Sequence, residues 1–159
     1  MKRVWNIPNP AIYCLSSFDV KGGQNFNICS YVSVVSLKPK LYMVAIEQNS
    51  KTHSNLIENP FSILQILSLN NISLIKKLGK KSGWKYDKLS ALKKQNILQL
   101  WNGKNIIKNS CGIIFLKKNK EIKTTGDHTL FIFEILKSTT INENNILTLN
   151  KLIEEKIIL

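Results

Sequence analysis

Apolar residues fall in short runs, separated by polar or Gly- and Pro-bearing breaks, which is the spacing of a β-protein with few helices. An irregular lead-in holding Pro8 and Pro10 precedes a first strand over Ala11–Leu15. Val20–Asn25, with Gly22 and Gly23, is a turn whose hairpin partner follows at once. Asn27–Leu37 mixes β-branched, aromatic and hydroxyl residues as a packed strand does. Lys38-Pro39-Lys40 breaks it, because Pro39 has no N–H for a ladder. Leu41–Ile46 is a continuous apolar run, as in a strand covered on both faces. Ser50-Lys51-Thr52 then opens a short amphipathic helix over Lys51–Asn59, with Ser50 as N-cap, Leu56 and Ile57 facing the core, and Pro60 as the stop.

Phe61–Leu67 is the next strand. Ile72, Leu74, Ile75 and Leu78 have helical spacing, and Gly79 ends that helix. Lys80–Lys94 is basic, partly helical and on the surface; its Trp84 and Tyr86 are either anchors to the body or a lid or wall over a planar ligand. Ile97–Asn109 has no clear period beyond a turn at Asn102-Gly103. Cys111–Lys117 and Thr129–Leu136 are strong strands, with a polar stretch at Asn119-Lys120 and a turn at Thr124–Asp127 between them. A polar loop, a short strand near Ile146–Leu149 and a tail close the sequence. Six or more strands with two or three short helices give a mainly β fold, a mostly antiparallel β-barrel, as a single domain over residues 1–159.

The formal charge of +13 comes almost wholly from Lys, with Arg3 the only arginine. Nucleic-acid readers favour Arg for its bidentate contacts, so this balance points to anionic small molecules at least as much. Cys14, Cys29 and Cys111 are widely spaced and His53 and His128 are the only histidines, which argues against a structural zinc site. The odd cysteine count and the lack of a signal sequence fit a reducing, cytoplasmic setting. No apolar run is long enough to cross a bilayer.

Two places carry candidate chemistry. The start of the Lys51 helix offers free N–H groups, two hydroxyls and a Lys, a seat for phosphate. Asn27, Cys29, Ser30 and Ser33 make a small-polar row on the neighbouring strand that faces the same ligand. The ordinary alternatives are a plain N-cap at Ser50 and plain strand residues at Ser30 and Ser33. The second place is Gly126-Asp127-His128, where a glycine turn presents a His at the mouth of a buried strand. A turn histidine capping loop carbonyls is its ordinary alternative.

Gly126-Asp127-His128-Thr129-Leu130-Phe131-Ile132-Phe133-Glu134-Ile135-Leu136 resembles the GDH-plus-strand signature of the flavin reductase-like, FMN-binding split-barrel family. The resemblance extends over about residues 10–137: a small-polar strand, a proline turn, the Leu41–Ile46 strand and a helix start bearing Ser and Thr follow in the family's order. Cys29 stands where the family has Ala, Ser or Thr, Lys40 replaces the second proline of the turn, and the closing aromatic segment is missing.

The resemblance implies a six-stranded antiparallel Greek-key split barrel that forms a homodimer, with FMN near the subunit interface. It implies a flavin lined by Asn27, Ile28, Cys29, Ser30 and Tyr31, with Glu47 beside them. Ser50 and Thr52 would hold the ribityl phosphate and Lys51 would add charge. His128 would be the catalytic residue, standing beside flavin and nicotinamide, where its ring can orient the nicotinamide or stabilise charge on the reduced flavin. The implied activity is NAD(P)H-dependent reduction of FMN, in which the cofactor carries the chemistry. A flavin- or haem-binding module of the same fold without turnover is the alternative, and a Lys-rich nucleic-acid binder ranks last.

Overall fold

The computed structural model describes residues 2–158. The described residues form nine strands and four α-helices. A hairpin of β1 (Tyr13–Phe18) and β2 (Gln24–Cys29) opens the chain, and a second of β3 (Val32–Leu37) and β4 (Lys40–Glu47) follows. Then come α1 (Lys51–Glu58), β5 (Phe61–Ile66), a 3-10 helix over Leu69–Leu74, α2 (Ile75–Gly79) and α3 (Lys88–Lys94). The hairpin of β6 (Leu98–Trp101) and β7 (Lys104–Ile107) turns at Asn102-Gly103, both in the left-handed region, as a two-residue turn between twisted strands requires. The long β8 (Gly112–Lys123), β9 (His128–Thr140) and α4 (Leu149–Glu154) complete the chain.

Seven strands form one antiparallel sheet in the order β2-β1-β5-β8-β9-β4-β3, one more than the six the family resemblance implied. The pair β8–β9 is its spine. β5 docks on Gly112–Lys117 at one end, and β4 on His128–Glu134 at the other end. The two wings, β5-β1-β2 and β4-β3, are therefore staggered diagonally across the spine. Leu15 and Leu64 of one wing share a buried cluster with Val44 and Ile46 of the other and with Phe131 and Phe133, so the sheet curls around a common interior. α1 contributes Leu56 to that cluster.

The expected strand Asn27–Leu37 is in fact two. The chain leaves one edge of the sheet at Cys29 and enters the opposite edge at Val32, with only Ser30-Tyr31 between. No ladder joins β2 to β3 among the described residues. Nothing in the pattern marks the break, because a two-residue link without Gly or Pro keeps the look of one strand. β4 is covered mainly on one face: Val44 and Ile46 are buried, while Met43 and Ala45 are partly open.

A second cluster lies on the other face of the sheet. Ile12, Cys14, Phe26 and Leu67 meet Leu74 and Leu78 near α2, Leu92 of α3 and Leu152 of α4. On β1, Cys14 and Leu15 belong to different clusters, the period-two alternation of a strand buried on both sides. Gln65 joins the β6–β7 hairpin to the sheet: its amide donates to the Ile107 carbonyl and accepts from the Ile107 N–H, both at 2.9 Å.

Several boundaries differ from expectation. Ile72–Leu78 is a 3-10 turn followed by one α-turn. The polar Asn119-Lys120 lies inside β8, at a register shift between Lys118 and Lys120. The strand expected near Ile146–Leu149 is reduced to two isolated bridges, Ser68 to Ile146 and Ala11 to Thr148, and a helix follows. No described helix is long and apolar enough to cross a membrane.

Candidate functional site

A trough runs along the open side of the sheet where β2, β4 and the start of α1 meet. It consists of two adjoining clefts of about 230 and 330 Å³ that share Asn27, Glu47, Ser50 and Gly79. The first cleft collects Ile28, Cys29, Ser30 and Tyr31 from the crossover between sheet edges, with His128 from the head of β9. The second is lined by Lys51 and Thr52 of α1 and by the loop after α2, including Lys80, Lys81 and Ser82. One end is therefore nearly neutral and the other strongly basic.

Register brings these residues together. The last residue of β4, Glu47, pairs with the first of β9, His128. Gln48 continues the contact, its N–H donating to the Asp127 carbonyl at 2.9 Å. His128 Nδ1 lies 2.6 Å from Asp127 Oδ1. A carboxylate only accepts, so Nδ1 holds the proton and Nε2 is left for other partners. The bond to His128 holds the Asp127 carboxyl below its ordinary range. The His128 ring stands 5.5 Å from the ring of Tyr31, tilted by 59°.

At the start of α1 the hydroxyls are engaged within the protein. Ser50 Oγ accepts from the His53 N–H at 3.1 Å and donates to the Glu47 carbonyl at 2.8 Å, so it is an N-cap with no proton to spare. Thr52 is buried, and its Oγ1 accepts from the Asn25 amide at 3.0 Å. Ser33 does not reach the trough; it is exposed on β3 and its hydroxyl donates to the Val34 carbonyl. Of the small-polar row, then, Asn27, Cys29 and Ser30 line the first cleft and Ser33 lies apart.

Cys29 is a neutral thiol, because burial pushes its pKa up with Cys14 beside it. Cys14 is likewise pushed up to about 12 by burial. Neither has the lowered pKa of a nucleophile. All three cysteines are free. Among the described residues no cluster of His, Cys, Asp and Glu is suited to a metal ion.

The loop between α2 and α3, expected on the surface, forms a wall of the second cleft and, through Trp84 and Tyr86, of a neighbouring pocket. Trp84 is anchored: its Nε1 donates to the Asn49 carbonyl at 3.0 Å, and Lys51 Nζ lies 4.8 Å above its ring. Its ring also borders a third and larger pocket of about 420 Å³, together with Tyr86, so anchor and wall are one arrangement. Gly83 lets the loop approach β2, since a Cβ there would lie 2.5 Å from Asn25 Oδ1. Lys88 is 4% exposed, donates to the Leu78 carbonyl at 2.6 Å and borders both the second cleft and the third pocket. Burial lowers its pKa. The signal for this wall was the run Lys80-Lys81-Ser82-Gly83-Trp84, basic and small before an aromatic.

A model of the flavin reductase like domain matches residues 7–151. None of the curated proteins matches the chain in sequence. Among solved structures, an FMN-binding protein from Thermus thermophilus with bound 1-cyclohex-2-enone is 20% identical, with a TM-score of 0.73 over 88% of this chain and 75% of that one. An NADH:FAD oxidoreductase from Streptomyces globisporus is 15% identical, with a TM-score of 0.75 over 87% of this chain and 80% of that one. Flavoredoxin from Methanosarcina acetivorans is 19% identical, with a TM-score of 0.74 over 89% and 75%. At these identities the three establish a shared fold.

Proposed function

The chain belongs to the flavin reductase-like family, and on that premise we propose that it is an oxidoreductase that binds FMN in the trough and uses NADH or NADPH as donor. The flavin supplies the hydride-accepting ring. The observation that carries the reading is the division of the trough into a nearly neutral cleft and a basic one in direct continuation. A planar ring suits the first, a phosphate the second.

Asn27, Ile28, Cys29, Ser30 and Tyr31 are assigned to the ring, where the crossover between sheet edges presents backbone groups as well as side chains. Glu47 closes the boundary between the two clefts. Ser50, Lys51 and Thr52 are assigned to the phosphate. Because the Ser50 hydroxyl is spent on the cap, its part is to hold the turn, and the charge comes from Lys51 and the helix start. His128 is assigned to positioning the nicotinamide, its ring fixed by Asp127 on one side and Tyr31 on the other. None of these groups acts as a nucleophile.

The reading extends to the whole chain. Residues 1–159 act as one domain, a split barrel of the FMN-binding type, working in the cytoplasm, where its free cysteines stay reduced. Two copies form a symmetric dimer. Val34, Val35 and Leu37 are exposed on β3, an edge strand beside the trough, and a second subunit would cover them. The support from similar structures is that the Thermus protein is an FMN-binding protein and the Streptomyces protein an NADH:FAD oxidoreductase.

The test is the absorption spectrum of the purified protein after mixing with FMN, followed by NADH oxidation. Flavin bands and FMN-dependent NADH consumption support the reading. Bound flavin or haem with no consumption leaves a binding module. No bound chromophore and no consumption defeat both.

A further inference from the structure

We propose that Lys118 of β8 is a positioning residue for FMN that acts through α1, holding the C-terminal end of the helix whose N-terminal end faces the phosphate. This role presupposes the flavin reading above. Little in the sequence of α1 keeps it helical. It has eight residues, Lys51–Glu58, and so short a segment does not hold a helix in water unaided. Thr52, His53, Ser54, Asn55 and Ile57 all have lower helix propensity than Ala, Leu or Lys. Its charges run against the helix dipole, with Lys51 first and Glu58 last. The lysine that suits an anion at the N-terminal end thus weakens the helix that presents it.

The C-terminal end lacks a local cap. No basic residue lies in its last turn, and the residue that ends it, Asn59, is extended rather than left-handed. Lys118 supplies the missing partners from a distant strand. Its Nζ donates to the Leu56 carbonyl at 2.6 Å, to the Ile57 carbonyl at 3.2 Å and to Glu121 Oε2 at 3.0 Å. All three N–H groups of the ammonium are thereby used. Its backbone N–H donates to the Pro60 carbonyl at 2.6 Å, so main chain and side chain grip the same end of the helix.

A fault in the ladder gives Lys118 its aim. The pairing of β8 with β9 shifts between Lys118 and Lys120, leaving Asn119 as an extra residue, and such a bulge redirects the side chains beside it. Among the described residues no other lysine of β8 bonds to α1. The first turn of α1 is held separately, by the Ser50 cap and by the bond from the Asn25 amide to Thr52 Oγ1. In a helix of two turns a released last turn unwinds into the first, and the N–H groups at the start lose their common direction.

Lys118→Met keeps the stem and removes the donors. Fluorescence titration of the full chain with FMN and with riboflavin is the test. K118M is expected to weaken FMN by about tenfold or more, as the loss of charged hydrogen bonds does. Riboflavin, which has no phosphate, should be weakened by less than about threefold. K118R keeps a cation with donors and should restore FMN binding. A purely structural role costs both flavins alike; that result, or an unchanged FMN affinity in K118M, overturns the proposal. Amide hydrogen exchange separates it from the flavin reading. Residues 53–58 should lose protection in K118M while β4 and β9 keep theirs. If α1 exchanges as in the wild type, the tether is wrong whatever binds. A wild type that binds neither flavin defeats the flavin reading and the positioning role with it, and the exchange result still decides the tether. Should K118M not fold, E121A removes one of the three acceptors of the ammonium and carries the same comparison: a larger loss for FMN than for riboflavin supports the role, and an equal loss or none overturns it.

Discussion

His128 has one nitrogen committed and one to offer. Nδ1 donates to Asp127, so whatever the ring does in the cleft it does through Nε2 or through its face. Replacing His128 with Ala is expected to leave FMN affinity within about tenfold, or 1.4 kcal/mol. The rate of flavin reduction by NADH should fall by more, because misplacement costs rate steeply. Stopped-flow bleaching of the flavin band measures it; an unchanged rate would return His128 to a turn residue. The second histidine is structural and sensitive to pH. His53 Nε2 lies 3.1 Å from Thr129 Oγ1 and its ring stands edge-on to Phe131. Burial, aided by Lys123 and Lys118 and opposed by Glu121, lowers its pKa below the ordinary 6.5. The unfolded chain therefore binds the proton more readily. The contribution of His53 is fully present above 6.5 and is lost as pH falls from there toward the lowered value. Thermal melts from about pH 8 down to about pH 5 should show a decline that His53→Gln flattens. If H53Q follows the wild-type curve throughout, the decline belongs to other groups.

At the scale of elements, α1 shows what the pattern carried and where it misled. Ser50 is its N-cap and Lys51–Glu58 its span, as the start signal and Pro60 indicated. The core face is Thr52, Asn55 and Leu56, whereas Ile57 is 44% exposed. Asn55 takes the inward place because its amide donates to Ser17 Oγ at 3.1 Å, a partner on β1 that a local reading cannot see. Leu56→Ala should cost about 2–5 kcal/mol and Ile57→Ala well under half as much. Urea melts of the two variants check this, and equal losses would contradict the assigned face. The same limit explains the other departures. Strand existence was legible from apolar runs, but the crossover at Ser30-Tyr31 was not, because only the partners β1 and β4 reveal that the two halves pair differently. The β6–β7 hairpin was hidden because Ile97–Asn109 keeps no clean alternation, and only Asn102-Gly103 announced it. In the site, helix start and GDH turn were legible as local signals. The wall from Lys80 to Lys88 was legible only as one of two roles for Trp84 and Tyr86, since its placement depends on Gly83 lying against Asn25 and on the burial of Lys88.

For the molecule as a whole, the charge of +13 is spread along a Lys-rich chain, yet the trough draws several of those lysines to one end. The diagonal stagger of the two wings bears on how the chain folds. The turn joining β8 to β9 spans only Thr124–Asp127, so the spine is built from neighbours in sequence. β5 must instead return from across α2, α3 and the β6–β7 hairpin to meet β8, and β4 must wait for β9. Loop closure makes such distant pairings late events. The spine is thus the natural folding nucleus, and the two wings attach to its opposite ends as separable steps. Leu116→Ala, on β8, should mainly slow folding, while Phe26→Leu, on the outermost β2, should mainly speed unfolding. Chevron plots of both variants would read this directly; a Phe26 substitution that slowed folding as strongly as the Leu116 one would place the nucleus elsewhere. A protein assembled in this order can lose its β2 edge, and with it one wall of the trough, without first dissolving its centre.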